Sequence, residues 1–422
     1  MNNRELIIGF DLGNEYSQLS YAIGLSNEPT SISLDKIGEG FLIPTAIGFS
    51  IEERQWVYGI KAINMAKENK AHLVSNILDK VRQSKTVKII DSVYESTYLL
   101  ERYIYKILIE LKGKWPGKTI RQMVITIDKP DPLIVSSLYK ALDNLGLRDR
   151  VSVISYSWSY LAYVLSQEKD IWTNDVALFD FSKEGFKYMQ MSLERRKLPH
   201  LVQIKEKDYN DLIYYNELDK IKSNGNFEYV LDNIFNDALY KQIVSAIYFT
   251  GQGFVDGIPM TTINKISKGR RLFIGQNLYC KGACLYGVHL AGEESLGNYI
   301  FLVDDTIHYS VKLTVNDQDI DKSLYIVKLG SSIYEKPNKI GLILDGERKV
   351  KYQVRNKKGM LILEDILELE GLPQRPSKTS RIEVSLEVIS KSRFIIQIVD
   401  KGFGEMYSGT DKIWEKEVSI SG

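Results

Sequence analysis

The sequence predicts a mixed α/β chain in two parts, a large domain of two related halves followed by a small antiparallel β domain. Three observations carry this. An apolar run that ends in an aspartate and a tight turn occurs twice, at residues 5–22 and 176–193, roughly 170 residues apart. Helical periods alternate with strands up to about Gly287 and then disappear. Beyond residue 299, short segments alternate apolar and polar side chains between turn signals, the pattern of sheets with one face buried and one face wet.

A chain of 422 residues exceeds what one ordinary core organises, so a large two-lobed domain plus a smaller one is the expected division. Hydrophobic residues make up 44% and charged residues 26%, a globular rather than a disordered balance. Lys and Arg number 55 against 54 Asp and Glu, and no long run carries one sign, which argues against nucleic-acid binding by bulk charge. The apolar run at residues 6–10 is too short for a targeting segment, and no stretch is long enough to span a bilayer. The only cysteines, Cys280 and Cys284, exclude a disulfide framework and suit a reduced, cytoplasmic protein. None of the four histidines, His72, His200, His289 and His308, stands close enough in sequence to that pair to complete a metal site.

The elements follow in chain order. Residues 5–22 read as strand, turn and strand, because the apolar run stops at Asp11 and Gly13-Asn14 supplies turn chemistry. Residues 43–50 and 55–58 read as strands and 60–70 as a helix. Tyr94, Leu99, Tyr103, Ile107 and Leu111 recur at helical spacing and predict an amphipathic helix over 91–111. A strand at 123–127, a helix at 133–145, a strand at 151–154 and a helix at 158–165 follow. The run ending at Asp180 repeats the opening logic, with 188–193 as its hairpin partner. The predicted large domain spans 1–290, with lobes at about 1–165 and 166–290, then a linker at 291–303 and a β domain at 304–422. In the last, strands are expected at 309–315, 324–329, 349–354, 382–388 and 394–399, punctuated by Asp345-Gly346 and Lys401-Gly402.

A nucleotide site between two lobes needs backbone amides at the phosphates, carboxylates for hydrated Mg²⁺, and glycine where backbone approaches a base. Asp11 ends the first strand, and Gly13, Asn14, Glu15, Tyr16 and Ser17 form a turn whose N–H groups face a phosphate in that reading. Asp180 ends the second, followed by Ser182, Lys183 and Gly185. Gly251, Gln252, Gly253 and Phe254, after the apolar residues 243–249, supply a glycine pair for adenosine. Each segment alone is more often an ordinary hairpin turn or a packing glycine, so their order and spacing carry the weight.

These segments resemble the 70-kDa heat-shock (DnaK-type) chaperones. Gly9-Phe10-Asp11-Leu12-Gly13 is similar to the family's first phosphate motif, and Ile43-Pro44-Thr45-Ala46-Ile47-Gly48-Phe49 and Val57-Tyr58-Gly59 to the segments after it. Val124-Ile125-Thr126-Ile127, Leu145-Gly146-Leu147 and Leu161-Ala162-Tyr163 resemble the strand, helix and connecting helix between the lobes, and Lys281-Gly282-Ala283-Cys284 the second connecting helix. Leu369-Glu370-Gly371-Leu372-Pro373, Ile382-Glu383-Val384 and Val399-Asp400-Lys401-Gly402 look like the closing strands of the peptide-binding domain. The matching patches are chiefly 6–66, 121–190, 246–287 and 366–402. The resemblance implies an actin-like (ribonuclease H-like) nucleotide-binding domain followed by a β-sandwich without a helical lid. It further implies ATP or ADP with Mg²⁺, the metal held through water by Asp11 and Asp180 as the catalytic pair, and peptide or protein clients on the β domain.

Departures from the family are as informative. Asn14 and Glu15 stand where the family has paired threonines, and Ser182-Lys183-Glu184 replaces a glycine-rich loop. The catalytic lysine falls on Ile63, the connecting-helix glutamate on Tyr156 and an Mg²⁺-linked aspartate on Lys187. Phosphoryl transfer depends on positioning and charge stabilisation, so hydrolysis is expected to be weak or lost. The expected function is a chaperone-like protein that couples ATP or ADP binding to its β domain. The alternatives are a pseudo-ATPase scaffold for protein contacts and an actin-like filament protein.

Overall fold

The computed structural model describes residues 4–23, 28–34, 40–292, 296–317, 320–335 and 338–420. Packing divides the chain into two units, Met1–Val303 and Asp304–Gly422.

Two six-stranded sheets in the first unit share the order of five strands and differ in the sixth, which in the first sheet is Ile43–Pro44 paired with Tyr16–Ile23. In the first sheet Glu5–Leu12 pairs antiparallel with Tyr16–Ile23 and parallel with Thr119–Ile127; Val151–Ser155 lies beyond the latter and Thr30–Ile32 beyond the former. In the second sheet Asp175–Ser182 takes the same place. Gly185–Glu194 pairs with it antiparallel and His200–Asp208 lies beyond, antiparallel to Gly185–Glu194; Val244–Thr250 pairs with it parallel and Arg271–Ile274 lies beyond, parallel to Val244–Thr250. Tyr299–Leu302 then adds a parallel edge strand on His200–Asp208. That strand lies inside the segment expected as a linker. Phe301 and Val303 are buried in the core with Trp158, which ties the stretch to the first unit.

Strand periodicity explains how the two aspartates are aimed. Along Asp175–Ser182 the side chains alternate between two cores, Val176 and Leu178 in one, Ala177, Phe179 and Phe181 in the other. Asp180 follows Val176 and Leu178 on their face. In Glu5–Leu12, Ile7 packs with Cys284, and a Cβ on Gly9 would lie 2.0 Å from the Cys280 carbonyl oxygen. Asp11 continues that face toward the helix Leu278–Leu290.

Helix starts follow local chemistry. The carboxylate of Asp131 accepts from the Leu133 and Ile134 amides ahead of Pro132–Asn144, with Pro132 in the first turn. Ser155 caps Tyr156–Leu165 by accepting from the Trp158 amide, which places Tyr156 at the sheet end. This helix crosses Leu278–Leu290 so closely that a Cβ on Gly282 would lie 2.0 Å from the Ser159 carbonyl oxygen.

Two expected helices are shorter than the apolar period suggested. Gly59–Lys67 ends early because Ala71–Val74 leaves it to pair with Ile47–Ser50. The helix expected from residue 91 begins at Ser96, since Ser92–Glu95 forms a hairpin with Thr86–Ile89 around Ile90 at φ 56°.

The second unit is strand-rich and antiparallel. One sheet runs Ile320–Val327, Tyr309–Asp317, Lys349–Asn356, Leu361–Glu368; the other runs Lys339–Leu344, Ser380–Ser390, Arg393–Phe403, with Tyr407–Ser408 and Ile413–Ser419 on its last strand. Val311, Leu313, Tyr352 and Val354 from one sheet share a core with Ile382, Val384, Ile396 and Ile398 from the other. Lys339–Leu344, Leu361–Glu368 and Ile413–Ser419 escaped the sequence reading because as flanking strands they bury few side chains.

Candidate functional site

Where the two hairpins meet, each strand-end carboxylate is held by a tyrosine. The Tyr156 hydroxyl donates to Asp11 Oδ1 at 2.7 Å, and the Tyr279 hydroxyl donates to Asp180 Oδ2 at 2.7 Å. The two rings stack on each other with centroids 3.8 Å apart and planes 12° apart. Tyr156 opens one of the crossing helices and Tyr279 stands in the first turn of the other, so the crossing itself brings the rings together.

One ion pair joins the two hairpins, and a second ties the Asp180 hairpin to the first sheet. Lys183 Nζ lies 2.6 Å from Glu15 Oε2, turn to turn. Lys187, directly opposite Asp180 in its hairpin, donates to Asp128 at the end of Thr119–Ile127. Burial raises the Asp11 carboxyl to about 8, partly offset by the Tyr156 hydrogen bond and reinforced by Asp180. Burial likewise raises Asp180 to about 6, against the lowering effects of Tyr279 and Lys187. Burial pulls the Lys187 ammonium down, but Asp128, with Asp180 and Glu184, more than offsets it and the net shift is upward. Burial and the neighbouring carboxylates push both phenols well above their ordinary range, so each remains a hydrogen-bond donor.

The cavity enclosed here is ≈ 80 Å³. Ligand pockets run to about 300–1,000 Å³, and this space suits a few waters. Of the residues predicted to bind a cofactor or metal, Asp11, Gly13, Glu15, Tyr16, Asp180, Ser182, Lys183, Gly251 and Gln252 line it. Asn14 instead lines a neighbouring cavity of ≈ 300 Å³ and donates to Asp79 Oδ2 at 2.7 Å. Four residues are placed elsewhere by packing. The Ser17 hydroxyl is buried 2.7 Å from that of Thr45, and Phe254 is fully buried in the core of the second sheet. A Cβ on Gly253 would strike the Phe181 ring at 2.1 Å, and one on Gly185 would strike Asn210 Oδ1 at 2.2 Å. Ile63, the position matched to a catalytic lysine, lies in Gly59–Lys67 and lines neither cavity.

The first turn is also closed on itself, because the Gly13 amide donates to the Tyr16 carbonyl at 3.1 Å. Charge is of the wrong sign for a polyphosphate. Glu15, Asp180 and Glu184 line the smaller cavity beside Asp11, which keeps its proton near neutral pH, and among the described residues lining it Lys183 is the sole cation.

A family model described as the C-terminal part of a family of unknown function, DUF5716, matches residues 28–304. The chain belongs to the DUF5716 family. A second model, for a domain of unknown function, DUF8552, matches residues 306–420. No curated protein matches the chain. The two matched regions meet where packing separates Val303 from Asp304. Within the DUF5716 match lie Asp180, both tyrosines and Lys187, whereas the Asp11 hairpin precedes it.

Several groups at this DUF5716 site were not predicted as site residues. Tyr279 sits in a helix whose apolar composition reads as plain core. Asp79, Arg82 and Asp128 line the larger cavity and are distant in sequence from both hairpins. The sequence resemblance marks Tyr156 and Lys187, at positions where the chaperones have a glutamate and an aspartate, and the hairpin register adds that Lys187 stands opposite Asp180. Among the described residues no helix is long and apolar enough to cross a membrane.

Proposed function

We propose that this protein is a pseudo-ATPase scaffold: an actin-like, ribonuclease H-like two-lobed core of DnaK-type lineage whose cleft is filled by its own side chains, joined to a β-sandwich that makes protein contacts. The observation that carries it is the stacked pair Tyr156 and Tyr279, each donating to the strand-end aspartate of its own lobe. These are the two carboxylates that would serve a metal-nucleotide complex. The five-strand order shared by the two sheets supports the actin-like core, and the β domain's paired sheets support the sandwich. Cys280 and Cys284, both buried and unlinked, support a reducing, cytoplasmic setting.

The competing reading is a nucleotide held without hydrolysis and coupled to client binding. It requires the stack to part and the Lys183–Glu15 pair to open. Titration calorimetry and thermal unfolding with millimolar Mg-ATP and Mg-ADP separate the two. The scaffold gives no saturable heat and no stabilisation, whereas ligand at about 100 times its Kd would add about 2.7 kcal/mol. Saturable heat that Asp11→Ala abolishes would overturn the scaffold in favour of the competitor. Fluorescence anisotropy with an extended apolar peptide supplies the second arm: a scaffold's peptide affinity is indifferent to ATP, and a coupled chaperone's is not.

A further inference from the structure

The cleft gathers acids from both lobes around one ammonium. Asp180 ends the central strand of the second lobe, and Lys187 faces it across the hairpin, where paired Cβ atoms lie about 4.5–5.5 Å apart. From there Lys187 reaches out of its own lobe to Asp128 in the first. Its side chain is 14% exposed, and Asp128, Asp180 and Glu184 all act on it. Lys183, by contrast, is spent at the rim on Glu15 and is 41% exposed.

A hydrated Mg²⁺ needs carboxylate oxygens open toward its waters. Here one oxygen of Asp11 and one of Asp180 accept from phenols, and an ammonium stands among the remaining acids. Among the described residues no group of three or more His, Cys, Asp or Glu is arranged to hold a metal. The residues present do not fit a resident Mg²⁺.

We propose that the Lys187 ammonium is the cleft's resident counter-ion, a tethered cation that neutralises Asp128 and Asp180 across the two lobes in place of a soluble divalent ion. This rests on the reading of the cleft as self-filled. Without a cation Asp128 and Asp180 would repel each other and lose hydration, or take up protons, so the ionised pair is kept together by a cation between them. A lysine meets that need without a binding equilibrium. The lobe arrangement is then independent of metal supply.

The test uses the full chain, with thermal unfolding of wild type, Lys187→Met, Lys187→Arg and Lys187→Met/Asp128→Asn at matched ionic strength, with and without millimolar MgCl₂ or MnCl₂. Wild type should be indifferent to both salts. Lys187→Met should lower the transition of the Met1–Val303 unit by about 5–10 °C, Lys187→Arg should retain most of it, and Asp128→Asn in the double variant should restore part of the loss. Saturable stabilisation of wild type by Mn²⁺, or a double variant no more stable than Lys187→Met, would overturn the proposal. Should Lys187→Met fail to fold, a folded double variant supports the tethered cation and an unfolded one overturns it. Nucleotide binding by wild type would sink the scaffold reading but leave the Lys187 comparison standing. Metal binding without nucleotide sinks this inference alone.

Discussion

Tyr156 and Tyr279 stack at 3.8 Å between centroids while their hydroxyls point to different aspartates, Asp11 and Asp180. The pair therefore joins the two halves of the first unit through ring contact and satisfies a buried acid in each. Stacking and hydrogen bonding make separable contributions. Tyr156→Phe or Tyr279→Phe keeps the ring and removes the donor, so each should cost about 1–3 kcal/mol in urea unfolding. Tyr→Ala at either position also opens a cavity and should cost about 3–5 kcal/mol. Equal losses for Phe and Ala would show that the ring contact contributes nothing.

The Asp11 carboxyl sets a pH dependence of unusual sign. Its folded value is raised from 3.8 to about 8, so between those limits the native state holds a proton that the unfolded chain has released. Stability should fall as pH rises through that window. Asp180, raised to about 6, adds a smaller fall confined to lower pH. Asp11→Asn keeps an oxygen for the Tyr156 hydroxyl and should flatten the profile above about pH 6. Parallel Tm–pH curves for wild type and variant would contradict this account.

Two glycines should respond in opposite directions to the same substitution. Gly282→Ala drives a methyl against the Ser159 carbonyl oxygen at 2.0 Å and should destabilise by at least about 1–3 kcal/mol, because backbone at a helix crossing cannot step aside. Gly113, in Ser96–Lys114, has nothing within 4 Å of a built Cβ. Gly113→Ala should stabilise by about 0.5–1 kcal/mol through helix propensity. Denaturant midpoints of the two variants on opposite sides of wild type are the expected result.

In the second unit, Arg375 grips Asp400 with two hydrogen bonds of 2.7 and 2.8 Å, and the Gly402 and Thr410 amides donate to the same carboxylate. These contacts, Arg375 first, hold Asp400 well below the usual carboxylate range. The stabilisation is complete above the unfolded value of about 3.9 and fades as pH falls below it. Arg375→Ala strands a buried charge and should cost about 3–5 kcal/mol at neutral pH. It should also move the acid loss of stability upward in pH, read from Tm against pH.

Strand and helix periods alone placed Asp11 and Asp180 at strand ends, because an apolar run that stops at an acid before turn residues has few other readings. The helix expected at 133–145 is likewise present, as Pro132–Asn144. The hairpin at Ile90 was not legible, since a β-branched residue at positive φ gives no sign in sequence. Gly253 and Gly185 were read as backbone approach to a ligand and prove to be approach to Phe181 and Asn210. Glycine reports that space is short, not what fills it.

The sequence by itself determined the repeated hairpin, its terminal carboxylates and the strand-rich end of the chain. Which side chains meet those carboxylates was decided only in three dimensions. Tyr156 and Tyr279 are separated by more than a hundred residues, and Lys187 is 59 from Asp128. Local periodicity fixes which way a side chain points from its own strand or helix. Which distant side chain it meets is set by how the helices cross and the sheets align, and that depends on packing along the whole unit.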